Sequence, residues 1–117
     1  PPNSVSLISL ALAKLALDKI DFFLEKVREV VAERDRMAEI LGRLKGLTVY
    51  PSKANFLLIR FKTIEASQVY RMLLSRGMVV RRVRGPLLEN CLRITVLDRA
   101  SNDKLIGALK EILGEQG

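Results

Sequence analysis

Apolar and polar positions divide the chain into blocks of changing period. Residues 4–17, SVSLISLALAKLAL, are apolar nearly all round with small residues interleaved, the pattern of a helix buried on most sides. Asp18 and Asp21 then offer capping carboxylates for a new helix. From 20 to 44, Ile20, Phe23, Leu24, Val27, Val30, Val31, Met37, Ile40, Leu41 and Leu44 recur at spacings of three and four, with charged residues such as Glu25, Arg28, Glu33 and Arg36 between them. This predicts an amphipathic helix of about 25 residues, roughly 37 Å long. Such an element is either a spine between domains or a helix lying across a sheet.

Beyond Gly46 the period changes. Residues 54–61, ANFLLIRF, read as a strand preceded by the turn signal Pro51-Ser52. Residues 65–75 read as a helix with Val69, Met72 and Leu73 on one face and Gly77 as its C′ glycine. Residues 78–83 form a second strand, and a loop through Gly85-Pro86 leads to a third, 91–96, in strict alternation. A last helix spans about 101–113, with Leu105, Ile106, Leu109, Ile112 and Leu113 as its apolar face. The expectation is an α+β, two-layer sandwich: a small, mainly antiparallel sheet of three to four strands, helices on one face, and a long N-terminal helix in front. It is one domain, with 1–45 as helical spine and 46–117 as αβ core, and the other face of the sheet is free to meet something else.

Composition narrows the chemistry. The chain has 117 residues, 49% of them apolar and 28% charged, with a net charge of +7. That is a globular composition of single-domain length, and it excludes intrinsic disorder and a complete doubly wound cofactor enzyme. Histidine is absent and Cys91 is the one cysteine. The commonest general base is therefore missing, as are an internal disulfide and a thiolate zinc site. The free thiol fits a reducing, cytoplasmic compartment. No apolar run reaches membrane-span length, and Ser6, Ser9 and Lys14 interrupt the nearest, 5–17. The opening Pro1-Pro2, in place of Met, is expected of a piece of a longer protein.

Arg93 is the most informative position. In 91–96, Leu92, Ile94 and Val96 share one face and Cys91, Arg93 and Thr95 the other. A mid-strand arginine either reaches water or pairs with an anion, and its planar fork suits a carboxylate or phosphate. Arg81 ends the apolar run on the neighbouring strand, so two strand arginines can converge on one oxyanion; Arg82 and Arg84 read as a solvated basic loop. Lys53 reads as a turn lysine, Tyr50 and Tyr70 receive no role, and no phosphate-cradling glycine motif occurs. The +7 charge with Arg76, Arg81, Arg82 and Arg84 leaves open an autonomous module binding a small anion or nucleic acid. Aromatics are only 5%, with no stacking pair on a strand.

The chain resembles the C-terminal small domain of fold-type I, pyridoxal-phosphate-dependent aminotransferases, most closely their histidinol-phosphate aminotransferase branch. The segment from Pro51-Ser52-Lys53-Ala54-Asn55-Phe56 is similar to the family's S-x-A-N-F strand. Gly77-Met78-Val79-Val80-Arg81 is similar to its G-I-x-V-R strand, and Cys91-Leu92-Arg93-Ile94-Thr95-Val96 to its C-L-R-I-T-V-G strand. Arg99 and Asn102 match its T-R-E-E-N helix start, and Glu33-Arg34 the E-R of its long helix. Pro2-Asn3-Ser4-Val5-Ser6 is similar to the crossing between large and small domains. Three positions depart from the pattern: Leu97 stands for a glycine, Pro2 for a tyrosine, and Arg82 for an acidic residue.

The resemblance implies that Arg93 grips the acidic group of a phosphorylated or carboxylated amine and that Arg81 supports phosphate recognition. It implies amino-group transfer to 2-oxoglutarate in a cytoplasmic, dimeric enzyme of histidine biosynthesis. The pyridoxal phosphate and its lysine then belong to a large partner domain, and this chain alone neither binds the cofactor nor is catalytically competent. Neither nucleic acid nor membrane is an expected partner. Threonine-phosphate decarboxylase, a relative with a similar small domain, stands as the alternative.

Overall fold

The helical pattern that opens the chain continues without interruption. The computed structural model describes residues 2–116, with side chains from 6 to 114, and its first helix, α1, runs Pro2–Gly42. Pro1 and the side chains of the crossing motif at 2–5 lie outside the described residues. The expected break between 17 and 20 is absent, and Asp18 and Asp21 cap nothing. Neither glycine nor proline stands there, and interior Asp or Lys costs a helix well under about 1 kcal/mol. The predicted burial of 4–17 is also corrected for the described side chains, from Ser6 onward: within this chain Leu7 is 68% and Leu17 61% exposed. At 41 residues α1 is roughly 61 Å long. Only its last third, from Val30 onward, meets the sheet, where Met37 and Leu41 are fully buried.

Gly46 turns the chain out of α1 at φ +90°, where a Cβ would stand 3.0 Å from Thr63 Oγ1. The elements that follow are β1 Leu47–Tyr50, β2 Phe56–Phe61, α2 Ala66–Ser75, β3 Arg81–Arg82, β4 Cys91–Thr95 and α3 Arg99–Gln116. The four strands form one antiparallel sheet in the order β1-β2-β4-β3. β1 is absent from the sequence reading, because Gly46 and Pro51-Ser52 enclose only four residues and mask their alternation. β3 is shorter than the expected 78–83: its ladder to β4 holds only at Arg81 and Arg82. α2 ends as predicted at Gly77, with φ +77° and its N–H on the Leu74 carbonyl.

Strand alternation sorts the sheet into two faces. Leu47, Leu57, Ile59, Phe61, Leu92 and Ile94 are buried beneath the helices with Val69 and Leu73 of α2 and Leu105, Leu109 and Ile112 of α3. All three helices thus cover one face, as the pattern requires, and the two-layer α+β arrangement follows. Among the described residues, the opposite face carries no helix.

Candidate functional site

The uncovered face is built from the alternate positions of the same strands. The register sets Thr48 of β1 opposite Arg60 and Tyr50 opposite Leu58. Across β2 and β4, Phe56 faces Thr95, Leu58 faces Arg93 and Arg60 faces Cys91. Arg93 in turn lies directly opposite Arg81 of β3. The two arginines singled out in the sequence are therefore a cross-strand pair on one face. Arg81 is exposed and Arg93 half-buried. No carboxylate occupies a position of that face on β1, β2, β3 or β4.

Two like charges directly opposite each other destabilise a ladder unless something answers them. Among the described residues, the Nε of Arg93 is a buried polar atom without a hydrogen-bond partner. Its guanidinium carbon lies 5.3 Å from the centroid of the Phe56 ring. The pair thus places two cationic side chains side by side on the face away from the helices, one of them with a buried donor that nothing among the described residues fills.

A third arginine on the face behaves differently. Arg60 donates from Nε to the Tyr50 hydroxyl at 2.7 Å and from Nη2 to the Leu87 carbonyl at 2.6 Å. The Tyr50 hydroxyl raises the guanidinium pKa above its usual value. Arg60 thereby straps the 83–90 loop, which joins the two arginine strands, to the sheet. Sequence reasoning missed Phe56, Arg60 and Tyr50 as site residues, although the alternation of FLLIRF already placed Phe56, Leu58 and Arg60 on one face.

The other basic residues do not join the pair. Arg82 is opposite Leu92, on the helix-bearing side, and lies 5.9 Å from the Tyr70 ring. Arg76 pairs with Glu111 at 2.7 Å, and Arg84 is exposed in the loop. Arg81 and Arg82 thus point to opposite faces, and the four do not form a continuous basic patch. Lys53 is exposed in the turn before β2.

The strand that carries Arg93 is anchored at its exit. Buried Asn102 accepts the Leu97 N–H at 2.9 Å and donates to the Leu97 carbonyl at 2.8 Å and to Glu33 Oε1 at 3.1 Å. Glu33 also accepts from Arg36, which reaches Asp103 at 2.7 Å. The Arg36 guanidinium holds the Glu33 carboxyl below the usual range; burial opposes this and the Asn102 amide adds to it. The leucine at 97 in place of glycine is accommodated, because among the described residues only Asn90 is a non-glycine with positive φ, and the Leu97 side chain is exposed. At the other end of the strand Asn90 caps α2, accepting the Ala66 N–H at 2.6 Å and donating to the Phe61 and Ile64 carbonyls.

Among the described residues no helix is long and apolar enough to cross a membrane, and no cluster of three potential ligands suits a metal ion. Comparison with known proteins gives the fold a family context. Residues 2–109 match the family described as aminotransferase class I and II. The histidinol-phosphate aminotransferase of Thermoanaerobacter sp. (strain X514) is 42% identical over 115 residues, covering 96% of this chain and 31% of that protein. The structure of histidinol-phosphate aminotransferase from Sinorhizobium meliloti in complex with pyridoxal 5'-phosphate superposes with TM-score 0.74 at 27% identity, covering 87% of this chain and 28% of that one. The L-threonine-O-3-phosphate decarboxylase of Porphyromonas gingivalis gives TM-score 0.70 at 30% identity, covering 74% and 28%. The chain therefore spans less than a third of the length of these relatives.

Proposed function

The chain belongs to the aminotransferase class I and II family, and from that premise we propose that it is the substrate-anion-gripping small domain of a histidinol-phosphate aminotransferase-like enzyme. The family is pyridoxal-phosphate dependent. Every lysine among the described residues is exposed and none lies in a phosphate-cradling turn, which supports seating the cofactor elsewhere. The cofactor and its lysine belong, in this reading, to a larger domain outside the chain, and no chemical step is assigned to the residues present. Residues 1–45 serve as the spine to that domain and 46–117 as the gripping core, in an enzyme that acts as a dimer in the cytoplasm. The exposed apolar flank of α1, with Leu7, Leu12, Phe22 and Phe23 all more than half exposed, suits burial against such a domain.

One observation carries the reading: the cross-strand pair Arg81 and Arg93 on a sheet face without carboxylates. Guanidinium groups stay charged at any physiological pH and bind a phosphate bidentately, so the anion is fixed while the amine is presented elsewhere. In the enzyme that carries this chain, Arg93→Ala is expected to raise KM for histidinol phosphate by roughly 10- to 100-fold, with Arg93→Lys between it and the wild type. An unchanged KM in Arg93→Ala sinks the proposal. A second reading, decarboxylation of a phosphorylated amino acid, rests on the likeness to the threonine-phosphate enzyme. It uses the same arginine pair, and offering both substrates to the enzyme separates the two.

A further inference from the structure

The Arg93 side chain makes no hydrogen bond or ion pair among the described residues, yet it is half-buried and its Nε is fully enclosed. It also faces Arg81 directly across the ladder. Left to itself, a guanidinium in this setting swings away from its like-charged neighbour toward water. One neighbouring group supplies attraction: the Phe56 ring, whose centroid is 5.3 Å from the guanidinium carbon. Phe56 is opposite Thr95 and so diagonal to Arg93 on the same face, within the reach of an aromatic side chain. We propose that Phe56 is a positioning residue: its ring face holds the Arg93 guanidinium apart from Arg81, so that both forks point outward to receive one phosphate. This rests on the anion-binding reading of Arg93.

The ring attracts the cation through its quadrupole, which a leucine lacks and a tyrosine keeps. The test uses the cofactor-loaded enzyme that carries this chain, with inorganic phosphate as a competitive inhibitor, because the cofactor's own phosphate seat is then filled. Phe56→Leu is expected to raise both the phosphate inhibition constant and the KM for histidinol phosphate about five- to tenfold, with kcat within about twofold. Phe56→Tyr restores both. Phe56→pentafluorophenylalanine, which keeps the ring's shape and reverses its quadrupole, weakens phosphate binding as Phe56→Leu does, and it decides the matter if Phe56→Leu does not fold. A fluorinated ring that binds phosphate as well as the native one overturns the proposal. So does a loss in Phe56→Leu that falls on kcat and is not rescued by tyrosine. Arg93→Ala, measured alongside, separates the two levels: if it leaves the phosphate constant unchanged, the anion-binding reading itself fails.

Discussion

Asn102 offers the sharpest test of how the arginine strand is held. It is 1% exposed and satisfies both backbone groups of Leu97 while donating to a carboxylate. Asn102→Ala removes three hydrogen bonds, one of them to an ionised group. Neutral bonds contribute about 1 kcal/mol each and a charged one about 1.5–3 kcal/mol. Leu97 is 57% exposed, so water recovers part of the backbone loss, and the expected cost is about 2–3 kcal/mol. For a chain of this length that lowers the melting temperature by about 10 °C. Asn102→Asp is nearly isosteric but places a second carboxylate against Glu33 and an acceptor against the Leu97 carbonyl. It is therefore expected to cost more than alanine at pH 7, and the difference is expected to shrink as the pH falls and the new carboxyl takes up a proton. Urea unfolding at pH 7 and at pH 5 measures both effects. If Asn102→Ala lies within about 0.5 kcal/mol of wild type, or Asn102→Asp is the milder change at pH 7, the network does not hold the strand and the reasoning fails.

The remaining expectations concern the core, the turn after α1 and the response to acid. Ile59, fully buried at the centre of the sheet, is expected to cost about 2–5 kcal/mol as Ile59→Ala, read as a shift in urea midpoint at constant m. Gly46→Ala forces a Cβ to 3.0 Å from Thr63 Oγ1 at φ +90°; a loss of about 1–3 kcal/mol in thermal melting is expected, and an unchanged melting temperature contradicts the turn geometry. Arg36 keeps the folded-state pKa of Glu33 below its unfolded value. The ionised carboxylate therefore contributes stability above the ordinary glutamate pKa and loses it as the pH falls through the lowered folded value. Asp98, lowered by its hydrogen bonds from Ser101, acts in the same direction. Glu33→Gln is expected to flatten the acid limb of a stability profile below about pH 5, and an acid limb identical to wild type refutes the assignment.

The parts of the fold legible in the sequence are those in which a period repeats. Strict alternation in 91–96 placed Leu92 and Ile94 in the core and Arg93 on the opposite face, and the three-four spacing of α3 located Leu105, Leu109 and Ile112. The failures share a cause, which is that a local pattern does not report how far the sheet extends. The all-round apolar run before Asp18 reads as buried, but it projects past the strands, and nothing within this chain covers its described side chains. β1 is too short to show alternation, and its pairing with β2 supplies what its sequence does not. Of the candidate site, the strand placement was legible for the same reason as the core: Arg81 and Arg93 were each visible as a strand arginine. That they are register partners depends on the length of the 83–90 loop and on the strap from Arg60 to Leu87, neither of which is a property of either strand alone.

Register also explains why so much polar structure lies away from the arginine pair. β4 is the central carrier of Arg93, flanked by β2 and by a β3 that pairs at only two positions. A two-residue ladder holds an edge strand weakly, so the position of Arg81 relative to Arg93 depends on what fixes the ends of β4 and of the loop between them. At one end Asn90 ties the loop to the start of α2 and to the end of β2. At the other, Asn102 ties Leu97 to Glu33 on α1. Both anchors are asparagines bonding main chain, and each joins β4 to a helix that already packs on the core. The apolar layer thus sets where the sheet lies, while these two amides set where along it the arginines stand.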